Sequence, residues 1–252
     1  MNEKIEKYRR FLRDDLRLET DFSRTDQNQG IKPPPIEKPF SEDSIRIPLP
    51  GSKEWGFEYN PDILSAIRRR KSRRKFLDEA LKLQELAFFL WATTGVRKKL
   101  GGTILRNVPS AGNRHAIETY LCILNIEGLQ PGIYRYLPLE HELLLEKQED
   151  DREKFSEKIG IATLGQSFIG RAPAVFVWAA IPYRMEWRYG KASHKVIAID
   201  AGHICQNLYI ACEAVGAGTC AIAAYNQELI DGLIGIDGKD EFVVYLAPVG
   251  KI

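Results

Sequence analysis

Arg68-Arg69-Arg70-Lys71-Ser72-Arg73-Arg74-Lys75-Phe76 sets seven cations around one serine. A cluster this dense supplies several charge-assisted donors and a hydroxyl in a small volume, which is what a phosphate grip requires. Further along, Pro109-Ser110-Ala111-Gly112-Asn113-Arg114-His115 is a small-residue loop around an asparagine. Such a loop lets a flat polar ring lie close to the backbone and be hydrogen-bonded. A phosphate grip and a ring platform on one chain point to a mononucleotide with an aromatic ring system, with flavin mononucleotide (FMN) foremost. Two other readings of the basic run are a solvated helix face and a nucleic-acid patch. The second lacks interleaved aromatics and a basic surround.

Composition is compatible with a globular enzyme. The chain has 252 residues, 44% hydrophobic and 28% charged, with a formal net charge of +2. The basic cluster is therefore local, and a nucleic-acid module usually carries a larger excess. No apolar run approaches the ~18 residues needed to span a bilayer. The start, Met1-Asn2-Glu3-Lys4-Ile5-Glu6-Lys7, lacks an apolar signal core, so a cytoplasmic protein is expected. Cys122, Cys205, Cys212 and Cys220 form no CxxC pair and read as buried free thiols. His115, His141, His194 and His203 show no ligand spacing, and no metal site is expected.

Two regions are expected. Residues 1–60 read as an arm: a charged helical stretch to about Asp21, then an extended linker centred on Lys32-Pro33-Pro34-Pro35. This arm would lie over the body or over a partner subunit. Residues 61–252 form the body. Asn60 is expected to cap a helix with Pro61 and Asp62 in its first turn. Leu81 to Trp91 predicts a buried helix ended by Gly95. Ile117–Ile126 and Ala174–Ile181 predict core strands, and Ile133–Tyr136 with Leu143–Leu145 a hairpin around Pro138. His194 to Val215 predicts a long helix buried nearly all round, with Ala198, Ala201 and Gly202 admitting a second helix. Thr219–Ala224 and Phe242–Leu246 predict strands flanking a helix that begins at Gln227.

Gly216-Ala217-Gly218-Thr219-Cys220-Ala221 matches a dinucleotide fingerprint, G-x-G-x-x-A, in the wrong context. It follows a helix and enters a strand, whereas the fingerprint follows a strand and opens a helix. The expected role is a helix end and a tight turn.

The order of the pieces carries more than any one of them. Ile67-x-x-Arg70-Lys71-Ser72-x-Arg74-x-Phe76, then Pro109 to Asn113, a long helix, Gly216-x-Gly218 and a short strand resemble the nitroreductase-like family of FMN-dependent oxidoreductases. The resemblance spans roughly Pro61 to Ile252. Arg106-x-x-Pro109-Ser110-Ala111-Gly112 with His115 and Glu118, Arg188-Tyr189-Gly190, and Asp200-x-Gly202-His203-x-x-Gln206-Asn207-Leu208 are similar to one branch. That branch is the SagB-type dehydrogenases, which oxidise azolines to azoles in modified peptides.

The resemblance implies an α+β fold with a central, mainly antiparallel sheet flanked by helices, in an interlocked homodimer with FMN at the interface. It implies that Arg70, Lys71, Ser72 and Arg74 hold phosphate and ribityl chain, with Lys251 near the place of a terminal basic ligand. Pro109, Ser110, Ala111 and Asn113 would reach the flavin from the other subunit. The backbone around Ala223 and Ala224 would face flavin N5, where family members often carry glycine at the second position. Arg188 and Tyr189 stand where azoline oxidisers carry Lys-Tyr and would be the catalytic-side pair. An arginine stays protonated and is a poor general base. The implied activity is hydride transfer through N5, on a peptide or a small molecule. The alternatives are an NAD(P)H-dependent nitro or quinone reductase, and a noncatalytic nucleotide or nucleic-acid binder.

Overall fold

The computed structural model describes residues 3–57 and 61–252. In chain order the elements are α1 (Glu3–Arg9), α2 (Asp15–Leu18), β1 (Arg46–Pro48), α3 (Ile63–Arg69), α4 (Leu83–Thr94), β2 (Val96–Leu100) and β3 (Thr103–Arg106). Then follow β4 (Ile117–Ile123), β5 (Gly132–Leu137), β6 (Glu142–Gln148), α5 (Arg152–Ala162), α6 (Ser167–Gly170), β7 (Ala174–Ala180), α7 (Tyr183–Tyr189), α8 (His194–Ala214), β8 (Ala217–Thr219), α9 (Gln227–Ile234) and β9 (Phe242–Lys251). Among the described residues, seven strands form one sheet in the order β1-β6-β5-β4-β7-β9-β8, and every ladder in it is antiparallel. The strands β2 and β3 make a separate hairpin.

The centre of the sheet explains the apolar runs. Every residue of β4 and of β7 is buried. Because side chains alternate across a strand, each strand feeds two cores. Ile117, Leu121, Phe176 and Trp178 pack with α4 and α8 on one face. Tyr120, Cys122, Val175 and Val177 pack with α5 and α9 on the other. All four cysteines are buried free thiols. Among the described residues, no helix is long and apolar enough to cross a membrane.

Several elements depart from expectation. Asp62, not Asn60, is the cap of α3: its carboxylate accepts the Ser65 N–H at 3.0 Å. Asn60 lies outside the described residues. The charged N-terminal stretch forms two short helices rather than one, since it has no continuous apolar stripe to bury. The strand predicted over Thr219–Ala224 starts two residues earlier and is shorter, β8 pairing only over Ala217–Thr219, with Ile222 joining Leu246 as an isolated bridge. The last strand runs past Pro248 to Lys251, because its register with β7 continues to Val249 despite the missing donor.

The helix α8 is not buried all round within one chain. Ala198, Ile199, Gly202, His203 and Gln206 form an exposed face, while Ala201 is buried. The sheet of one chain covers only one side of a helix this long.

The proline-rich segment carries no helix or strand from 31 to 44, yet it is tied down. Arg135 donates to the carbonyls of Lys38 (2.7 Å) and Pro39 (3.3 Å). The Lys38 N–H donates to Glu118 (3.0 Å), and Trp187 Nε1 donates to the Ile31 carbonyl (2.9 Å). Tyr183 donates its hydroxyl proton to Asp26 (2.7 Å).

Candidate active site

The basic run leaves α3 as an extended segment that docks on β8. Ser72 bridges Thr219, and the Arg73 N–H donates to the Thr219 carbonyl at 2.8 Å. Tyr209 of α8 completes the corner. Its ring lies 5.2 Å under the Arg70 guanidinium, its hydroxyl sits 2.9 Å from Ser72 Oγ, and the same hydroxyl accepts the Ala221 N–H at 2.8 Å. With Ala221 donating, the Tyr209 proton is available to Ser72 Oγ, which leaves the serine proton for an incoming acceptor. Arg73 Nε and Thr219 Oγ1 are buried here without a hydrogen-bond partner among the described residues. The donor set suits an anion.

A second centre lies nearer the N-terminal end of α8. Ala111–Asn113 is a short 3-10 turn in which Gly112 (φ +57°) and Asn113 (φ +58°) are left-handed. Asn and Gly are the residues that tolerate this best. The turn is fixed from below, as the Ala111 N–H donates to Asp200 Oδ1 (3.3 Å) and the His115 N–H to Ser110 Oγ (2.9 Å). Burial raises the Asp200 carboxyl above its usual range. Burial, reinforced by Arg106, lowers His115 to about 3, so its ring is neutral. That ring sits 2.7 Å from Asn113 Oδ1.

The pair Arg188 and Tyr189 closes over this turn. A β-carbon on Gly112 would lie 2.5 Å from Tyr189 Oη and 2.8 Å from Arg188 Cδ, so both side chains would have to move, and the left-handed φ of +57° also favours glycine. Their helix, α7, is held by a buried ion pair: Arg184 Nη2 donates to Glu118 at 2.5 Å, and Nη1 to the His115 carbonyl at 3.3 Å. Arg114 donates back to the Arg184 carbonyl and stacks 4.7 Å over Trp187.

The structure thus brings Arg70 and Ser72 together at one corner, and Ser110, Ala111, Asn113, Arg188 and Tyr189 at another. Asp200 and Tyr209 anchor the two corners nine positions apart on α8, a rise of about 13 Å. Lys71 and Arg74 are exposed beside the first corner. The Lys251 ammonium turns to Glu85 and to the Val215 carbonyl. Asn113 donates to Thr103 Oγ1 and the Ile104 carbonyl, so its amide locks the turn to the β2–β3 hairpin. Ala223 and Ala224 are exposed, and the Ala224 carbonyl accepts from Gln166. Pro109 lines a small cavity with Arg106, His115 and Asp200. Sequence reasoning singled out Asp200 only within the branch-like motif, without its role under the turn, and missed Tyr209. The available signal was a polar group recurring within an otherwise apolar helix.

The chain is similar to proteins of one family. The model of the Nitroreductase family matches residues 67–251. A Methanocaldococcus jannaschii protein described as a nitroreductase is 30% identical over 209 residues, which is 83% of this chain and 98% of that protein. A crystal structure described as a nitroreductase, from Anabaena variabilis, superposes with a TM-score of 0.67 at 25% identity over 83% of this chain. This chain spans 42% of that one. The E. coli microcin synthetase McbBCD complex with truncated pro-MccB17 bound shares the fold, with a TM-score of 0.63 at 20% identity, over 90% of this chain and 80% of that one. With the match covering most of its length, and an antiparallel sheet flanked by helices beneath it, the chain belongs to the Nitroreductase family and is an oxidoreductase.

Proposed function

We propose that the chain is an FMN-dependent oxidoreductase that works as a homodimer and carries SagB-type dehydrogenase chemistry. The observation that supports this most is the corner at Ser72, where the stacked Arg70 guanidinium and an oriented serine hydroxyl meet on Tyr209. This donor set fits a phosphate monoester. In this reading Arg70, Lys71, Ser72 and Arg74 hold the phosphate and ribityl chain, and the backbone at Ala223 and Ala224 faces the ring. With its ammonium on Glu85, Lys251 stands outside the direct contacts. FMN, when bound, supplies two-electron hydride chemistry that no side chain here offers.

The homodimer reading draws on the separation of the two corners along α8. On the exposed face of α8, Ala198 and Gly202 are small residues that a second α8 can approach. Two helices crossing there bring the Pro109–Asn113 turn of one chain toward the Ser72 corner of the other. Arg188 and Tyr189 travel with that turn and face the substrate side. Tyr189 Oη is the group of the pair able to pass a proton on, whereas Arg188 only donates, and orients an anionic or carbonyl oxygen.

Two substrate classes fit. Azoline rings in a peptide are favoured by the branch-like pattern at Arg106, Glu118 and Asp200. Small nitro or quinone acceptors reduced at the expense of NAD(P)H are favoured by Arg188 in place of a lysine. The cofactor reading is tested by mass spectrometry of the chromophore released on denaturation. FMN is expected, and FAD or no flavin after reconstitution overturns it. Turnover of an azoline peptide by the parent, lost in Tyr189→Phe, selects the first substrate class.

A further inference from the structure

A cleft of about 710 Å³ opens on the far side of Arg74, between the 74–78 segment and the helices α5 and α6. Its size falls in the range of small-molecule sites, roughly 300–1,000 Å³. The walls are fixed by the fold. The Leu77 N–H donates to the Lys251 carbonyl, pinning one wall to β9. On the other wall Asp151 caps α5 through the Lys154 N–H, and Gly170 packs so tightly on the Ser156 carbonyl that no β-carbon fits between α5 and α6.

The lining is chemically sorted. Four cations, Arg74, Lys75, Arg152 and Arg171, line it, and none of their side chains has an ion-pair or hydrogen-bond partner among the described residues. Set against the carboxylates of Asp78 and Glu153, the four cations leave the lining a formal excess of two positive charges, which a bound polyanion neutralises. Phe76 and Phe168 add aromatic rings to the lining, and Asp78 and Glu153 add carboxylates. Cations for phosphates, rings for a base and a carboxylate for ribose hydroxyls are the three parts of nucleotide recognition.

We propose that this cleft is a binding site for a nucleoside diphosphate group, separate from the phosphate corner at Ser72. Arg74 stands on the wall between them: it also lines a smaller cleft with Ser72 and Ile252. The group is either a free nucleotide or the diphosphate-bearing half of a dinucleotide that delivers electrons to the neighbouring corner. Only the second source rests on the FMN reading above.

The test is calorimetric titration of the purified, chromophore-assayed full chain with ADP and with adenosine. The double variant Arg152→Gln/Arg171→Gln is measured alongside; both residues are exposed. Expected are ADP binding, at least about tenfold weaker in the variant, little response to adenosine, and unchanged chromophore content. Binding of ADP by a chain that holds no flavin supports this site while removing the FMN reading. ADP that competes with NADH for flavin reduction assigns the dinucleotide source, and ADP that binds without competing assigns the free nucleotide. The proposal is overturned if ADP does not bind at millimolar concentration, if the variant binds it equally, if adenosine binds as well as ADP, or if the variant loses its chromophore together with ADP.

Discussion

Replacing Glu118 by Gln should cost this protein a large part of its stability, through charge rather than shape. Glu118 is 1% exposed and its partner Arg184 3% exposed. The same carboxylate oxygen also takes the Lys38 N–H, and Arg106 lies buried nearby with its Nε unpartnered. Burial alone would push the Glu118 carboxyl up, but Arg184, Arg106 and Arg135 outweigh it and hold it below the usual carboxylate range. Burial lowers Arg106 to about 10 even with that carboxylate beside it. The amide of Gln keeps the volume and an acceptor but removes the negative charge. Two buried guanidinium groups then lose their main counter-charge, a situation that costs about 3–5 kcal/mol. Domains of ordinary stability have only about 5–15 kcal/mol to lose. With a urea slope of about 3 kcal/mol/M, the midpoint should fall by roughly 1–2 M. The pair fixes α7, so substrate turnover should fall with it. Adding Arg184→Met to Glu118→Gln should recover part of the loss by removing one stranded cation. A single variant within about 1 kcal/mol of the parent would refute the reasoning, since the pair would then be solvated in practice.

Three further outcomes are expected. Gly112→Ala should cost about 1–3 kcal/mol and disturb the substrate side, because the left-handed backbone disfavours alanine and a methyl group there would displace Tyr189 Oη and the Arg188 side chain; a melting point equal to the parent's would contradict this. Tyr209→Phe should weaken binding of added FMN and cost about 1–2 kcal/mol, since the Ala221 N–H and Ser72 lose their partner; equal flavin affinity by fluorescence titration removes Tyr209 from the corner. His115, lowered to about 3 by burial and then by Arg106, is neutral in the native state, while the unfolded chain takes up a proton below about 6.5. Its contribution is full above that value and shrinks as pH falls, by about 1.4 kcal/mol per unit; His115→Gln should flatten this part of the urea stability profile between pH 6.5 and 4, and an unchanged slope would count against it.

Much of this was written locally. The apolar runs of β4 and β7 announced central strands because residues buried on both faces need no alternation. Gly95 at the end of α4 and the Pro138 turn were legible because caps and turns are local chemistry. The basic run with Ser72, and the small-residue turn with Gly112, identified the family through order and spacing, which a linear chain preserves. What tertiary structure decided was partnership. That Ser72 meets Tyr209, 137 positions away, and that Ala111 rests on Asp200, depend on where α8 crosses the sheet. So does the turn of Lys251 toward Glu85, and the choice of which face of α8 stays exposed. Hydrophobic patterning says that a residue is to be buried; only packing says against what, because burial is non-directional while hydrogen bonds and ion pairs require particular atoms at particular distances.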